Sequence, residues 1–192
     1  MSSDVSVLEN GIGAPARWSL RLFGGFELSV LPGGARVAPP GKRERALLAY
    51  LALSPKGRQP RRKLAALIWG EATDQTLLDN LRTCLWRLRK ALGDTEHRLI
   101  ASDDEDIVLD IAAFDVDALI FGRFAAHSGR TELETAAHLY GGEFLEGLEL
   151  GSEEFEFWRR AEDRNLSTAK TYDALGLPEY YAMEAFVKWK DV

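Results

Sequence analysis

Residues 80–94, NLRTCLWRLRKALGD, read as the C-terminal part of a helix with two chemically unlike faces. From about Gln75 to Leu92, Leu78, Leu81, Leu85, Leu88 and Leu92 recur at spacings of 3 and 4, one stripe directed at a core, and Gly93 closes the helix. At about 100° per residue the opposite face carries Asp79, Thr83, Trp86, Arg87 and Lys90. Arg82 and Arg89 flank that face, and Asn80 lies near the other edge of the stripe. Arginine forks onto a guanine edge, and threonine touches a thymine methyl or a phosphate, so this face suits DNA. The plainer alternative is a solvated amphipathic helix. Trp86 speaks against it, because a solvated face rarely needs a tryptophan, although Trp86 could pack against the acidic half of the chain.

Two helices precede this one. The first runs from about Lys42 to Leu53, with Leu47, Leu48, Tyr50 and Leu51 on its apolar side, and Ser54-Pro55-Lys56-Gly57 breaks it. The second follows Pro60, carries Leu64, Leu67, Ile68 and Trp69, and stops at Gly70. Upstream, Trp18, Leu20 and Leu22 alternate with Ser19 and Arg21, and Phe26, Leu28 and Val30 with Glu27 and Ser29. Period two means half-buried strands, with Gly24-Gly25 as a bulge or turn. Pro32-Gly33-Gly34 turns the chain into a short return strand from Ala35 to Ala38. Downstream, Arg98 to Ile111 reads as strand, turn, strand around Asp103-Asp104-Glu105-Asp106. Helices are expected from Phe114 to Ala126 with Asp115 as N-cap, from Glu132 to Leu148, and from Glu153 to Leu175. Residues 1–16 read as a flexible arm and 177–192 as an aromatic tail.

The chain has 192 residues and a net charge of −6, and that average hides two unlike regions. Residues 36–98 hold 14 basic and 6 acidic side chains, for +8, whereas residues 99–192 hold 8 and 21, for −13. A compact basic segment before an acidic one points to an anionic partner for the first. Its cations crowd two helix starts: Lys42, Arg43 and Arg45 at one, Arg61, Arg62 and Lys63 at the other. The helix dipole disfavours cations there, and phosphates bound at the free N–H groups would supply the counter-charge. Solubility alone is the alternative for either cluster. With Arg82, Arg89 and Arg98, these six residues are the candidate phosphate contacts.

Other chemistry is poorly supported. A single cysteine, Cys84, excludes an intramolecular disulfide and a Cys-rich zinc site, and beside the leucine stripe it reads as a small buried residue. His97, His127 and His138 lack metal-ligand spacing. Gly24-Gly25 lacks the Lys-Ser/Thr of a phosphate loop, and residues 103–106 lack the glycine and spaced glutamate of a calcium loop. No local Ser–His–Asp arrangement suggests an enzyme. No cofactor and no metal are expected. No apolar run approaches the roughly 18 residues of a membrane span, so a cytoplasmic protein is expected.

Strands, three helices and a hairpin, in that order, describe an α+β winged helix-turn-helix with an N-terminal antiparallel sheet and a C-terminal wing. The segment Leu20–Ile111 resembles the OmpR/PhoB-type winged-helix DNA-binding domain. It is more closely similar to the N-terminal half of bacterial transcriptional activators of the SARP/BTAD family, through LRLFGGFEL, GKRERALLAYLAL, RRKLAALIWGE and NLRTCLWRLRKALGD. AAFDVDAL, LYGGEFLEGL and FEFWRRAEDRNL resemble the start of that family's bacterial transcriptional activator domain, a helical, tetratricopeptide-like module. The resemblance implies a winged-helix domain over 17–112 and a partial helical activator domain over 113–176. It implies a sequence-specific DNA-binding transcription regulator with residues 78–92 as recognition helix and Arg98–Ile111 as wing. Asn80, Thr83, Trp86, Arg87 and Lys90 match that helix's groove-facing positions. Double-stranded DNA, as direct repeats at promoters, and RNA polymerase are the implied partners.

The chain departs from the family pattern twice. DNA-gripping wings tend to be basic, and this tip is Asp103-Asp104-Glu105-Asp106, which repels a phosphate backbone. The family's activator domain also continues through several more helices, so a minimal or truncated member, or one relying on a partner, is expected. The apolar face of Phe155, Trp158 and Tyr172, with Tyr180, Tyr181, Phe186 and Trp189, would then serve self-association or a protein partner through residues 150–192. The second functional reading is a protein-interaction adaptor that keeps the winged helix without DNA binding.

Overall fold

The computed structural model describes residues 17–70, 74–125 and 139–174. Strands β1 (Arg17–Arg21), β2 (Glu27–Leu31) and β3 (Ala35–Arg36) form an antiparallel meander. Three helices follow: α1 (Lys42–Leu53), α2 (Arg61–Trp69) and α3 (Asp74–Leu92). Between α1 and α2 lies β4 (Arg58–Pro60), which joins β5 (Ile100–Ser102) and β6 (Asp106–Leu109) in a three-stranded wing sheet of order β4-β6-β5. β7 (Phe114–Val116) then pairs parallel to β1, completing a four-stranded sheet of order β3-β2-β1-β7. Helices α4 (Asp117–Ala125) and α5 (Glu153–Ala174) complete the described elements. The expected α+β winged helix-turn-helix followed by a small helical segment is the observed architecture.

The helix boundaries follow from their breakers. Ser54 ends α1, its Oγ donating to the Tyr50 carbonyl at 2.7 Å, and Pro55 prevents continuation. Gly70 ends α2 at φ 66°, with its N–H on the Ala66 carbonyl at 2.7 Å. After α3, Gly93 takes φ 66° and the Asp94 N–H reaches back to the Arg89 carbonyl at 2.9 Å. Asp94 then turns its buried carboxylate to the N–H groups of Arg98, Leu99 and Ile100 at 2.8–3.1 Å. The start of the wing is thereby fastened to the end of α3.

One apolar core runs through the described chain. It unites Leu20, Leu22 and Leu28 of the first sheet, Leu47, Leu48 and Leu51 of α1, Leu64 and Ile68 of α2, and Phe121, Phe144 and Phe155 from beyond residue 112. On α3 the buried residues are Leu77, Leu81, Cys84, Leu85, Leu88 and Leu92. Leu77, not Leu78, leads the stripe: Leu77 joins the buried core, and Leu78 stays half-buried at the edge of the wing. Each fully buried leucine contributes about 2 kcal/mol.

Three expectations for the second half are corrected. Phe114–Val116 is a strand, since its alternating burial fits beside β1, and the helix begins at Asp117. Asp115 is no N-cap and instead pairs with Arg17. The expected helix from Glu132 to Leu148 lies outside the described residues up to 138. From Tyr140 to Leu148 the chain is a loop, because Leu145 and two glycines adopt positive φ and Phe144 bridges to Phe23. Phe155 and Trp158 are not an exposed face. Phe155 is fully buried, and Trp158 packs against Tyr50, Phe144 and Phe155, because α5 packs on α2 and α4 and there meets Tyr50 and the 144 loop. The Tyr172 side chain, the arm 1–16 and the tail 177–192 lie outside the described residues.

Asp117 ties the two halves together. Its buried carboxylate accepts N–H groups from Leu22, Phe23 and Ala118 at 2.7–3.1 Å. Desolvation pushes its pKa up to about 6, against the lowering effect of those N–H groups and of Arg21. The unfolded value is about 3.9, so between these pH values the folded chain binds more protons than the unfolded one. The Asp117 contribution to stability is therefore full below about pH 4 and is lost as pH rises through 6. In urea unfolding, the stability of the parent relative to Asp117→Asn falls by about 1–3 kcal/mol between pH 4.5 and 7. A pH-independent difference would contradict this assignment.

Candidate nucleic-acid interface

Helix α3 lies between two concavities, and its crest carries the most exposed residues. On the crest, Trp86 is 60% exposed, so it does not pack against the acidic half. The Lys90 ammonium sits 5.2 Å from the Trp86 ring centre. Thr83 donates to the Asp79 carbonyl at 3.0 Å, and Arg82 pairs with the Asp79 carboxylate at 2.9 Å. Asp79 thus offsets part of the positive charge on the crest.

On the α1 side, Asn80, Thr83 and Arg87 share a concavity of about 420 Å³ with Lys42, Arg43 and Glu44 at the start of α1. Arg43 stacks on Trp69, its guanidinium 5.6 Å from the ring centre. Glu149 of the second half stands at the rim. Cys84 lies at the bottom. Burial first, then the charge of Glu44, pushes its thiol up to about 12, so it stays protonated and unreactive. This agrees with its reading as a small core residue.

On the wing side, Arg61, Arg62, Arg82 and Arg89 face Asp103, Asp104 and Glu105 across a concavity of about 870 Å³. The wing tip is not a free cluster of four charges. Asp103 accepts the N–H groups of Asp106 and Glu105 at 2.7 and 2.8 Å, which holds its carboxyl below the usual range. Asp106 is paired with Arg58, whose Nε donates at 2.9 Å. Asp104 and Glu105 remain exposed. The tip is also anchored to α2, since the Arg61 N–H donates to the Glu105 carbonyl at 2.8 Å and Arg61 Nη1 to the Asp103 carbonyl at 3.2 Å.

The predicted residues therefore fall into two groups. Lys42, Arg43, Asn80, Thr83, Arg87, Trp86, Lys90, Arg62 and Arg82 line or border the α3 face, and of these only Asn80 is less than exposed; Lys63 is exposed on α2 outside both concavities. Arg61, Arg89, Arg45 and Arg98 do not join them. Arg89 is half-buried and donates to the Ile100 carbonyl and to Ser102 Oγ at 2.8–3.0 Å, so it holds the wing. Arg61 holds the tip, Arg45 is half-buried, and Arg98 pairs with Glu96 at 2.6 Å. Neither basic helix start has a side-chain cap hydrogen bond, as Gly41 and Pro60 occupy the cap positions; the α2 start has no acid in its first turn, whereas at α1 the Glu44 carboxylate lies beside Gly41. Reading the sequence missed Arg58, Glu44 and Asp94. The Gly-Asp pair closing α3 was the available signal for Asp94; the other two act across the fold. His97 takes a positive φ of 55° in the turn before the wing, while His127 and His138 lie outside the described residues.

Among the described residues no helix is long and apolar enough to cross a membrane. No family model matches the chain. A glucosamine-6-phosphate deaminase-like protein of Bacteroides thetaiotaomicron is 60% identical over 40 residues, which is 21% of this chain and 6% of that protein. So short a stretch says nothing of activity. Among solved structures, EmbR of Mycobacterium tuberculosis, in complex with a low affinity phosphopeptide, superposes with a TM-score of 0.66 at 21% identity. The match covers 83% of this chain and 45% of EmbR, so the chain spans less than half the length of its structural neighbour. At that identity the likeness is one of fold: the winged helix and the helices packed behind it form an arrangement shared with EmbR.

Proposed function

We propose that this chain is a sequence-specific DNA-binding transcriptional regulator of the SARP/BTAD type. Helix α3 enters the major groove, and the uncapped, basic starts of α1 and α2 bind phosphates on either side. The observation that carries this reading is the α3 crest. An exposed tryptophan, a lysine over its ring, and Arg87 beside it stand between two uncapped basic helix starts, where the dipole alone would favour acids. The resemblance in NLRTCLWRLRKALGD and the fold shared with EmbR support it. Asn80, Thr83, Trp86, Arg87 and Lys90 read bases; Lys42, Arg43, Arg62, Lys63 and Arg82 bind phosphates. Direct repeats at promoters, RNA polymerase as the protein contacted by the helical half, and a cytoplasmic location complete the proposal.

Paired substitutions test it. With an operator selected from random duplexes, Arg87→Ala weakens operator binding by about 1–3 kcal/mol and mixed-sequence binding far less. Arg62→Ala weakens both about equally and lowers the salt dependence by about one counterion. Equal affinity of parent and both variants for every duplex would refute the assignment. The adaptor reading draws on exposed Asp104 and Glu105 beside the α3 face. It predicts a chain that captures a protein and ignores DNA.

A further inference from the structure

We infer that Glu44 is a specificity-positioning residue: its buried carboxylate holds the Arg87 guanidinium at the angle from which it reads a base. The inference rests on the DNA-binding reading above and names a residue which that reading does not use. Glu44 is 3% exposed, an unusual burial for a glutamate, on the first turn of a helix whose residues 46–52 are all buried. Its carboxylate folds back over the helix start, where a Cβ at Gly41 would lie 2.5 Å from Glu44 Oε2. The carboxylate tip thus lies close beside Gly41, and its burial keeps it on the protein side of the pair. Oε1 faces Arg87 Nη1 at 3.7 Å, a charge contact longer than a hydrogen bond. The Arg87 side chain is 56% exposed while its partner is 5% exposed. One end of the pair is thus fixed in the protein and the other projects from the α3 face.

A flexible arginine has several rotatable bonds, and a base contact needs its fork in one orientation. A fixed carboxylate beside one guanidinium nitrogen limits those orientations before DNA arrives, which lowers the ordering cost of the contact. The length of the charge contact suits this role, because a tight bidentate pair would hold the fork away from DNA.

Glu44→Gln separates the possible roles. If Glu44 acts only through its charge, its loss raises affinity for operator and mixed duplexes alike. If it acts only in the core, unfolding temperature and all binding fall together. Positioning predicts that the ratio of operator to mixed-duplex affinity falls about tenfold, with mixed-duplex affinity held or raised. It predicts too that Glu44→Gln changes the ratio no further in an Arg87→Ala background. An unchanged ratio, or additive effects of the two substitutions, overturns it. A parent that binds no DNA overturns the DNA-binding reading together with this inference, and a parent that binds with an unchanged ratio overturns the inference alone. If Glu44→Gln does not fold, the parent still tests the inference through the Arg87 Nε–H resonance in solution. A guanidinium more ordered than those of solvated arginines supports positioning, and one as mobile as theirs overturns it.

Discussion

Phe144→Ala lowers the free energy of unfolding by about 3–5 kcal/mol, the cost of removing a large aromatic ring from a filled core. Phe144 is fully buried, stands edge-on to Trp158 with centroids 5.7 Å apart, and bridges to Phe23 in the first half of the chain. Its N–H is held by Asp163 at 3.0 Å, and the next residue donates to the Leu22 carbonyl at 2.7 Å. With the backbone fastened on both sides, the cavity has little freedom to collapse, which places the cost toward the upper part of that range. The melting temperature, followed by circular dichroism, falls by roughly 10 °C. A change below 1 kcal/mol would mean that the 140–150 loop does not seal the core as described.

Gly57→Val removes about 3 kcal/mol or more and disorders the wing. Lys56 and Gly57 both adopt positive φ, 54° and 68°, in the tight passage from α1 to β4. At Gly57 a Cβ would lie 2.4 Å from the Leu109 carbonyl oxygen, so the end of β6 would have to move. A left-handed β-branched residue costs on the order of 1–2 kcal/mol before that collision is counted. Gly93→Val is the matching control, because Gly93 has φ 66° and open space around its Cβ position. It pays only the backbone cost of about 1–2 kcal/mol. Chemical denaturation of both variants, with the exchange of the Arg58–Pro60 amides as a local readout, checks the difference.

The three helices of the first half were legible because each sits between residues that stop a helix. Lys42–Leu53 and Arg61–Trp69 are bounded by proline, serine and glycine, and both ends match the reading. The wing was legible from Leu99-Ile100 and Val108-Leu109 around a turn. β4 was not, since Arg58–Pro60 is three residues long, shows no period and pairs with a strand some fifty residues on. β7 was misread because Phe114-Asp115-Val116 looks like the entry to a helix, and only its parallel partner β1 reveals a strand. Phe155 and Trp158 of α5 were read as part of a free face because a helix pattern alone does not say what covers it. Here Tyr50 and the 144 loop do. At the candidate site, helical phase identified Thr83, Trp86, Arg87 and Lys90 as the exposed side of α3. Charge and helical phase could not separate the arginines that face solvent from Arg61 and Arg89, which hold the wing, because wing carbonyls supply those partners.

The most direct check on the α3 face as a DNA surface is fluorescence anisotropy of the intact chain with a mixed-sequence duplex across 50–300 mM salt. With Lys42, Arg43, Arg62, Lys63 and Arg82 on phosphates, the logarithm of affinity falls against the logarithm of salt with a slope of about −4.5. No binding at the lowest salt, or a slope near zero, would contradict it.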